Sequence, residues 1–196
     1  TKTKQLQDGL KKAGMAFTAI GGAGLALVSK TKKINAELAV TAKSVGTTTE
    51  EMRELTLATT NVTFPIKEVT ATFDLLARAG VKDQETMKRV ATAFDTLGDA
   101  TGHSASQVTS MMVPAMKTFG LTADEIAGKT DAMTYLQRES TLSLEDFNTM
   151  VGYVTPELVE QGLTIDDLTA TLIHMEKQGY APGRVMTREF MKATTA

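Results

Sequence analysis

Residues 120–125 read Gly120-Leu121-Thr122-Ala123-Asp124-Glu125, and residues 162–167 read Gly162-Leu163-Thr164-Ile165-Asp166-Asp167. A looser copy, Gly80-Val81-Lys82-Asp83-Gln84-Glu85, precedes them, and a fainter one, Gly46-Thr47-Thr48-Thr49-Glu50-Glu51, lies further upstream. Glycine lacks the Cβ that makes the left-handed conformation costly, so it suits the end of a helix. In the three clearer copies an apolar residue follows, placed to touch the last turn of the helix just ended. Thr122 and Thr164 then cap the next helix. Glu125 and Asp167, three residues on, complete a capping box or favour the helix N-terminus by charge. Each copy reads as helix, tight reversal, helix.

The last two copies share more than the turn. Pro114 precedes Gly120 by the interval that separates Pro156 from Gly162, and apolar Met116 matches Leu158, with Leu76 at the same place before Gly80. Shared turn, proline and apolar positions make an internal repeat of roughly 40 residues, the period of stacked helical hairpins. The expected fold is all-α: repeated helical hairpins in a bundle or a short open solenoid. Glycines 46, 80, 120 and 162 (Gly46, Gly80, Gly120, Gly162) are the expected hinges.

Periodicity extends this reading over the chain. Ile34, Leu38, Ala42 and Val45 lie on one helical face, then Met52, Leu55, Ala58 and Val62 on the next. Thr63-Phe64-Pro65 breaks the pattern, and Ile66, Val69, Phe73 and Leu76 resume it. Met87, Val90, Phe94, Leu97 and Thr101 alternate three-four, the seam of helix-on-helix packing. Ser104 with Gln107, and Ser143 with Asp146, open two more helices. Pro114 is expected to bend or divide the helix before Gly120, Pro156 sits within the next repeat's helix, and Ile126, Thr130, Met133 and Leu136 form one return helix. A short helix closes the chain around Val185–Ala193. No stretch follows a strand period.

The first 33 residues are different. Ala13–Ser29 carries no charge and is flanked by lysines. Three readings compete: a transmembrane helix, which it is slightly too short and too glycine-rich to be; a signal peptide, whose apolar middle the glycines weaken; and a packing helix whose small-residue ridge Gly14-Thr18-Gly22-Ala26 admits another backbone or a membrane. Residues 1–33 are expected to form a lysine-flanked, Gly-rich apolar helix, and residues 34–196 the hairpin region. The chain begins at Thr1 and is expected to be a segment of a longer one. Gly24–Thr31 is one residue from a phosphate-binding loop, but Ser29 replaces the second glycine and no strand precedes it, so nucleotide binding is set aside.

Composition narrows the function. Of 196 residues 42% are hydrophobic and 22% charged, as in a globular protein, and the net charge of −2 lacks the basic excess of a nucleic-acid binder. There is no cysteine, which excludes disulfides and thiolate metal sites. No tryptophan and 11 methionines give an aliphatic, adaptable core. His103 and His174 are the only histidines; neither has metal-ligand spacing, His103 is expected to be solvated and His174 partly packed. The pairs Glu50-Glu51, Asp124-Glu125 and Asp166-Asp167 all fall in first turns of helices, where they act on the helix dipole. No nucleophile elbow or base partner can be named. No enzyme, cofactor or metal is expected.

The order of motifs carries a resemblance. After the Gly-rich apolar run come SVGTTTEEM (44–52), FPIKEVTATFDLLARAGV (64–81), GDATGHSASQV (98–108), FGLTADEIAGKTDAM (119–133), TLSLEDFNTMVGYVTPELVEQGLTIDDLTATLIHMEKQGY (141–180) and GRVMTREFMK (183–192). From about Gly14 to Lys192 this resembles the core region of tail tape measure proteins of tailed bacteriophages, prophages and contractile particles; the Tyr180-Ala181-Pro182 turn departs from it. The resemblance implies a structural protein that sets tail length, is the scaffold for tail tube assembly and is released during genome ejection. It implies as partners the tail tube protein, tail tip or baseplate proteins, tail assembly chaperones, further copies of itself and, on ejection, the host membrane. It places the protein in the virion tail lumen, and in the host cytoplasm during assembly. A membrane-active module inserting through residues 13–29, and a generic helical adaptor, are the alternatives.

Overall fold

The computed structural model describes residues 23–181 and 183–194. Among them every regular element is a helix: α1 Ala23–Val45, α2 Thr49–Thr59, α3 Ile66–Arg78, α4 Gln84–Thr101, α5 Ala105–Thr118, α6 Ala123–Ala127, α7 Thr130–Glu139, α8 Leu144–Val151, α9 Pro156–Glu160, α10 Ile165–Lys177 and α11 Arg184–Thr194. The expected boundary at residues 33/34 falls inside α1, which runs through it unbroken.

The turns behave as their residues dictate. Gly46, Gly80, Gly120 and Gly162 all have positive φ, between 64° and 99°. After each, the next amide donates to a carbonyl five residues back: Thr47 to Ala42, Val81 to Leu76, Leu121 to Met116 and Leu163 to Leu158. This is the Schellman closure, which satisfies carbonyls that the helix end leaves free. Thr48, Ser104, Thr122, Ser143 and Thr164 each form a capping box with Glu51, Gln107, Glu125, Asp146 and Asp167. Asp83 caps α4 by accepting from the Thr86 amide.

Helix packing follows the repeat. Helices α2, α4, α6–α7 and α10 pack in succession as one layer, while α1, α3 and α5 pack in succession as the other, with α8 following α5. Within each hairpin the layers meet, α4 on α5 and α10 on α11. One continuous apolar core from Leu38 to Phe190 lies between them. Of the two expected architectures this is the open solenoid: two layers of helices stacked along one direction.

Contacts between neighbouring units keep the period. Gln84 Nε2 donates to Thr47 Oγ1 across 37 residues, Ser106 Oγ to Glu68 across 38, Arg89 to Asp124 across 35 and Lys129 to Asp166 across 37. The Thr141 amide donates to Glu176 across 35, and Thr187 Oγ1 to the Met150 sulfur across 37. The same displacement, made by different chemistry at each joint, is the repeat expressed in three dimensions.

Several sequence expectations need correction. Pro114 does not divide its helix: α5 runs through it. The carbonyl it leaves without a donor belongs to Ser110, which is exposed to solvent. Pro156 does mark a break, because Gly152 ends α8 and Pro156 begins α9 with Thr155 extended before it. The return helix of the third unit is also split, α6 ending at Gly128 and α7 starting at Thr130. Ala58 is exposed and Val62 fully so, at 102%. Helix α2 ends at Thr59, and the Asn61 side chain accepts from the Thr63 and Phe64 amides, a local turn that sends Phe64 inward and Val62 out. The buried face of α2 is Met52, Leu55, Thr56 and Thr59.

Candidate interaction surface

The expected site residues divide into those the structure places and those it does not describe. The four glycines form the turns given above. Gly14, Thr18 and Gly22 lie outside the described residues. Ala26 lies in α1, its side chain outside the description. Gly24–Thr31 is helical, so no phosphate-binding loop exists there. Among the described residues no helix is long and apolar enough to cross a membrane, and no group of His, Asp or Glu is arranged to hold a metal ion.

The histidines reverse the expectation. His103 is only 17% exposed: Nε2 lies 2.8 Å from Glu145 Oε1 and Nδ1 3.1 Å from Thr101 Oγ1. It joins the α4–α5 turn to the first turn of α8. His174 is exposed on α10. Its place on the helix gave the correct element, but Leu172, Ile173 and Met175 take the inner positions around it.

The acidic pairs divide their work. Glu51, Glu125 and Asp167 close capping boxes. Hydrogen bonds from the Thr47 side chain and then the Thr48 amide and hydroxyl pull Glu51 down to about 2. The Thr122 amide and hydroxyl lower Glu125, and the Thr164 hydroxyl and amide lower Asp167. Their neighbours point to the preceding unit: Asp124 accepts from Arg89 at 2.6 Å and Asp166 from Lys129 at 2.6 Å. Glu50 instead pairs with Arg53 of its own helix. Sequence reading allowed Glu125 and Asp167 a capping box but saw Asp124 and Asp166 only as dipole partners. The readable signal was their constant place two residues after the cap, with a cation about 36 residues upstream.

A surface groove of about 680 Å³ runs across α1, α3 and α5. Ala36 and Val40 of α1 face Ala71 and Leu75 of α3 across it, with Ser106 and Ser110 of α5 on the far side. Val40 is 61% exposed. Lys33, Lys67 and Arg78 stand on the rim with Glu37 and Asp74. Lys33 lies 3.8 Å from Glu37 and Arg78 2.9 Å from Asp74, while Lys67 carries the charge left over. The groove was missed because Val40 and Leu75 lie off the inward stripes. A smaller depression between α7 and α10 contains Tyr135, with the Arg138 guanidinium 5.5 Å from its ring centre. A third, about 280 Å³, brings the Gly80 turn beside the Gly120 turn.

Among the described residues this geometry offers surfaces for packing. A broad groove on one layer of a helical solenoid is the usual place for protein contact in such arrays. No curated protein and no solved structure matches the chain. A family model described as phage-related minor tail protein matches residues 49–195, from the first residue of α2 through the last stacked unit. The match covers most of the chain and takes in every helix of the stacked array after α1: the protein belongs to the phage-related minor tail protein family.

Proposed function

We propose that this chain is a folded helical part of a tape measure protein, a non-enzymatic component that sets tail length and scaffolds the tail tube around it. One observation carries the reading. Successive hairpins are stacked with a displacement of 35–38 residues at six polar joints and 42 at a seventh, His103–Glu145, so the span of the array grows with the number of units, as a ruler requires. Membership of a tail protein family and the order of motifs from Gly14 to Lys192 support it. The reading places the chain in the tail lumen, with the tail tube protein, tip or baseplate proteins, assembly chaperones and other copies of itself as partners, and release during genome ejection.

In this reading Gly46, Gly80, Gly120 and Gly162 are the pivots through which the hairpins open when the chain is drawn out in a tube. A fully helical chain rises about 1.5 Å per residue, so 196 residues span at most roughly 290 Å. The test is an in-frame deletion of whole units, residues 80–119 for instance, in the parent particle, with tail lengths read by electron microscopy. Tails shortened in proportion to the residues removed are expected. Unchanged length, or no tails, would assign the segment to initiation or anchoring. Normal infectious tails would remove it from the ruler altogether.

A further inference from the structure

Helix α1 is longer than its layer needs. It has 23 residues, where its neighbours α3 and α5 have 13 and 14. The part of it that lines the groove runs from Lys33 to Val40, so residues 23–32 precede the groove, a rise of about 15 Å. Residues 1–22, outside the described residues, join the chain at that far end.

The groove suits an uncharged occupant. Its floor is Ala36 and Val40 of α1 with Ala71 and Leu75 of α3, and Val40 is 61% exposed. Two of its three rim cations are neutralised in place, Lys33 by Glu37 and Arg78 by Asp74. A charged ligand would have to displace those pairs, whereas the apolar face of a helix has only to cover the floor. The sequence supplies such a face directly upstream. Leu6, Leu10, Ala13, Phe17 and Ile20 recur at four-three-four-three spacing, one stripe of a helix, and Lys4 and Lys11 fall on the opposite side. Gly21 and Gly22 follow, the poorest helix formers after proline.

We infer that residues 6–20 turn back at Gly21-Gly22 as a helix antiparallel to α1 and occupy the α1–α3–α5 groove of their own chain. The reach fits. From Gly22 to Leu6 a helix rises about 24 Å, and from Ala23 to Val40 about 26 Å. Leu6 therefore comes level with Val40, and Leu10 with Ala36. Phe17 and Ile20 run along the part of α1 ahead of Lys33. The uncharged run that starts at Ala13 is thereby closed against its own chain. The inference does not depend on the tape measure reading.

The chain has no cysteine, so introduced pairs report the seating without interference. In the full chain, Leu6→Cys with Val40→Cys, and separately Leu10→Cys with Ala36→Cys, form a disulfide within one chain on mild oxidation, identified by mass spectrometry of the linked peptides. Lys4→Cys with Val40→Cys, placed on the opposite side of the same turn, stays reduced. Val40→Glu gives a second readout. The position is exposed in the array, so the fold persists, as far-ultraviolet dichroism checks, but a charge in the covered floor expels the segment. Trypsin then cuts after Lys11 and Lys12 at least about tenfold faster than in the wild type. Absence of both disulfides overturns the inference, and so does an equal yield from the Lys4 pair. A disulfide formed only between two chains overturns it in favour of exchange between copies. Equal tryptic rates in the wild type and Val40→Glu overturn it in favour of a groove left for an outside partner. None of these outcomes changes the tail-length test, which reads a different property.

Discussion

At the scale of single residues, Gly98 is constrained more tightly than any turn glycine. It lies buried in the last turn of α4, and a Cβ there would stand 2.5 Å from the His103 carbonyl oxygen. The obstacle is backbone, folded back over the helix by the Gly102 turn, and cannot swing aside. Gly98→Ala should therefore lower stability by about 1–3 kcal/mol, the range for overpacking, read as a shift in the denaturant midpoint. At Gly120 a Cβ would meet nothing, and the cost of Gly120→Ala is that of the left-handed backbone alone, about 1 kcal/mol. Thr72 works in the opposite direction. Other buried threonines donate to the carbonyl four residues back, as Thr56 and Thr109 do at 2.8 and 2.7 Å, but Thr72 Oγ1 has no partner. Thr72→Val removes the orphan at similar shape and should raise stability by about 1 kcal/mol. Asp95 is pushed up by burial and then by Asp99 and Glu68. Its ionised form opposes folding, so Asp95→Asn should raise the melting temperature at pH 7, with the gain shrinking as pH falls and the wild-type carboxyl takes up its proton.

At the scale of elements, the capping boxes make the fold acid-sensitive. Each box carboxylate with a resolved shift is held below its ordinary value: Glu51 at about 2, with Glu125 and Asp167 also lowered. A depressed carboxylate contributes stability above its unfolded value, near 4.5 for Glu51, and loses it as pH falls through the folded value. Thermal stability should thus decline between about pH 4.5 and pH 2, and Glu51→Gln should flatten the steepest part of that decline. Melting curves followed by far-ultraviolet dichroism measure both; a flat wild-type profile over this range would contradict the assignment. These boxes were legible in the sequence because the cap and its carboxylate are three residues apart, a local relation that the backbone alone enforces. The prolines show where local reading stops. Pro114 and Pro156 hold the same place before the same turn, yet α5 continues and α8 ends. Met111, Met112 and Val113 precede the first, whereas Gly152 and β-branched Val154 and Thr155 precede the second. Val62 fits the period of α2, but the Asn61 turn ends the helix before that period can act.

At the scale of the whole molecule, the repeat was legible and the inequality of its units was not. Turn residues recur in sequence, so the number and order of hairpins follow from glycines and caps. The strength of each joint depends on residues some 36 positions apart, and no local pattern announces them. The third unit is the weak one. Both of its helices are interrupted, at Gly128–Lys129 and at Gly152–Thr155, and α9 buries no residue fully. Three of its ties to neighbouring units are Arg89–Asp124, Lys129–Asp166 and Thr141–Glu176, all at exposed positions where solvent screens charge. By contrast α4 and α5 are continuous, with Met87, Val90, Phe94, Val108 and Met112 wholly buried between them. Opening free energy follows buried apolar contact, so the array should loosen first around residues 152–163 while α4 and α5 exchange only with global unfolding. Native-state hydrogen exchange reads this directly. Amides of 152–163 should exchange at least about 100-fold faster than those of α4, a difference of about 2.7 kcal/mol in opening free energy. Equal protection across all four units would mean that the solenoid opens as one cooperative body, and the glycine turns would then have no independent motion to contribute.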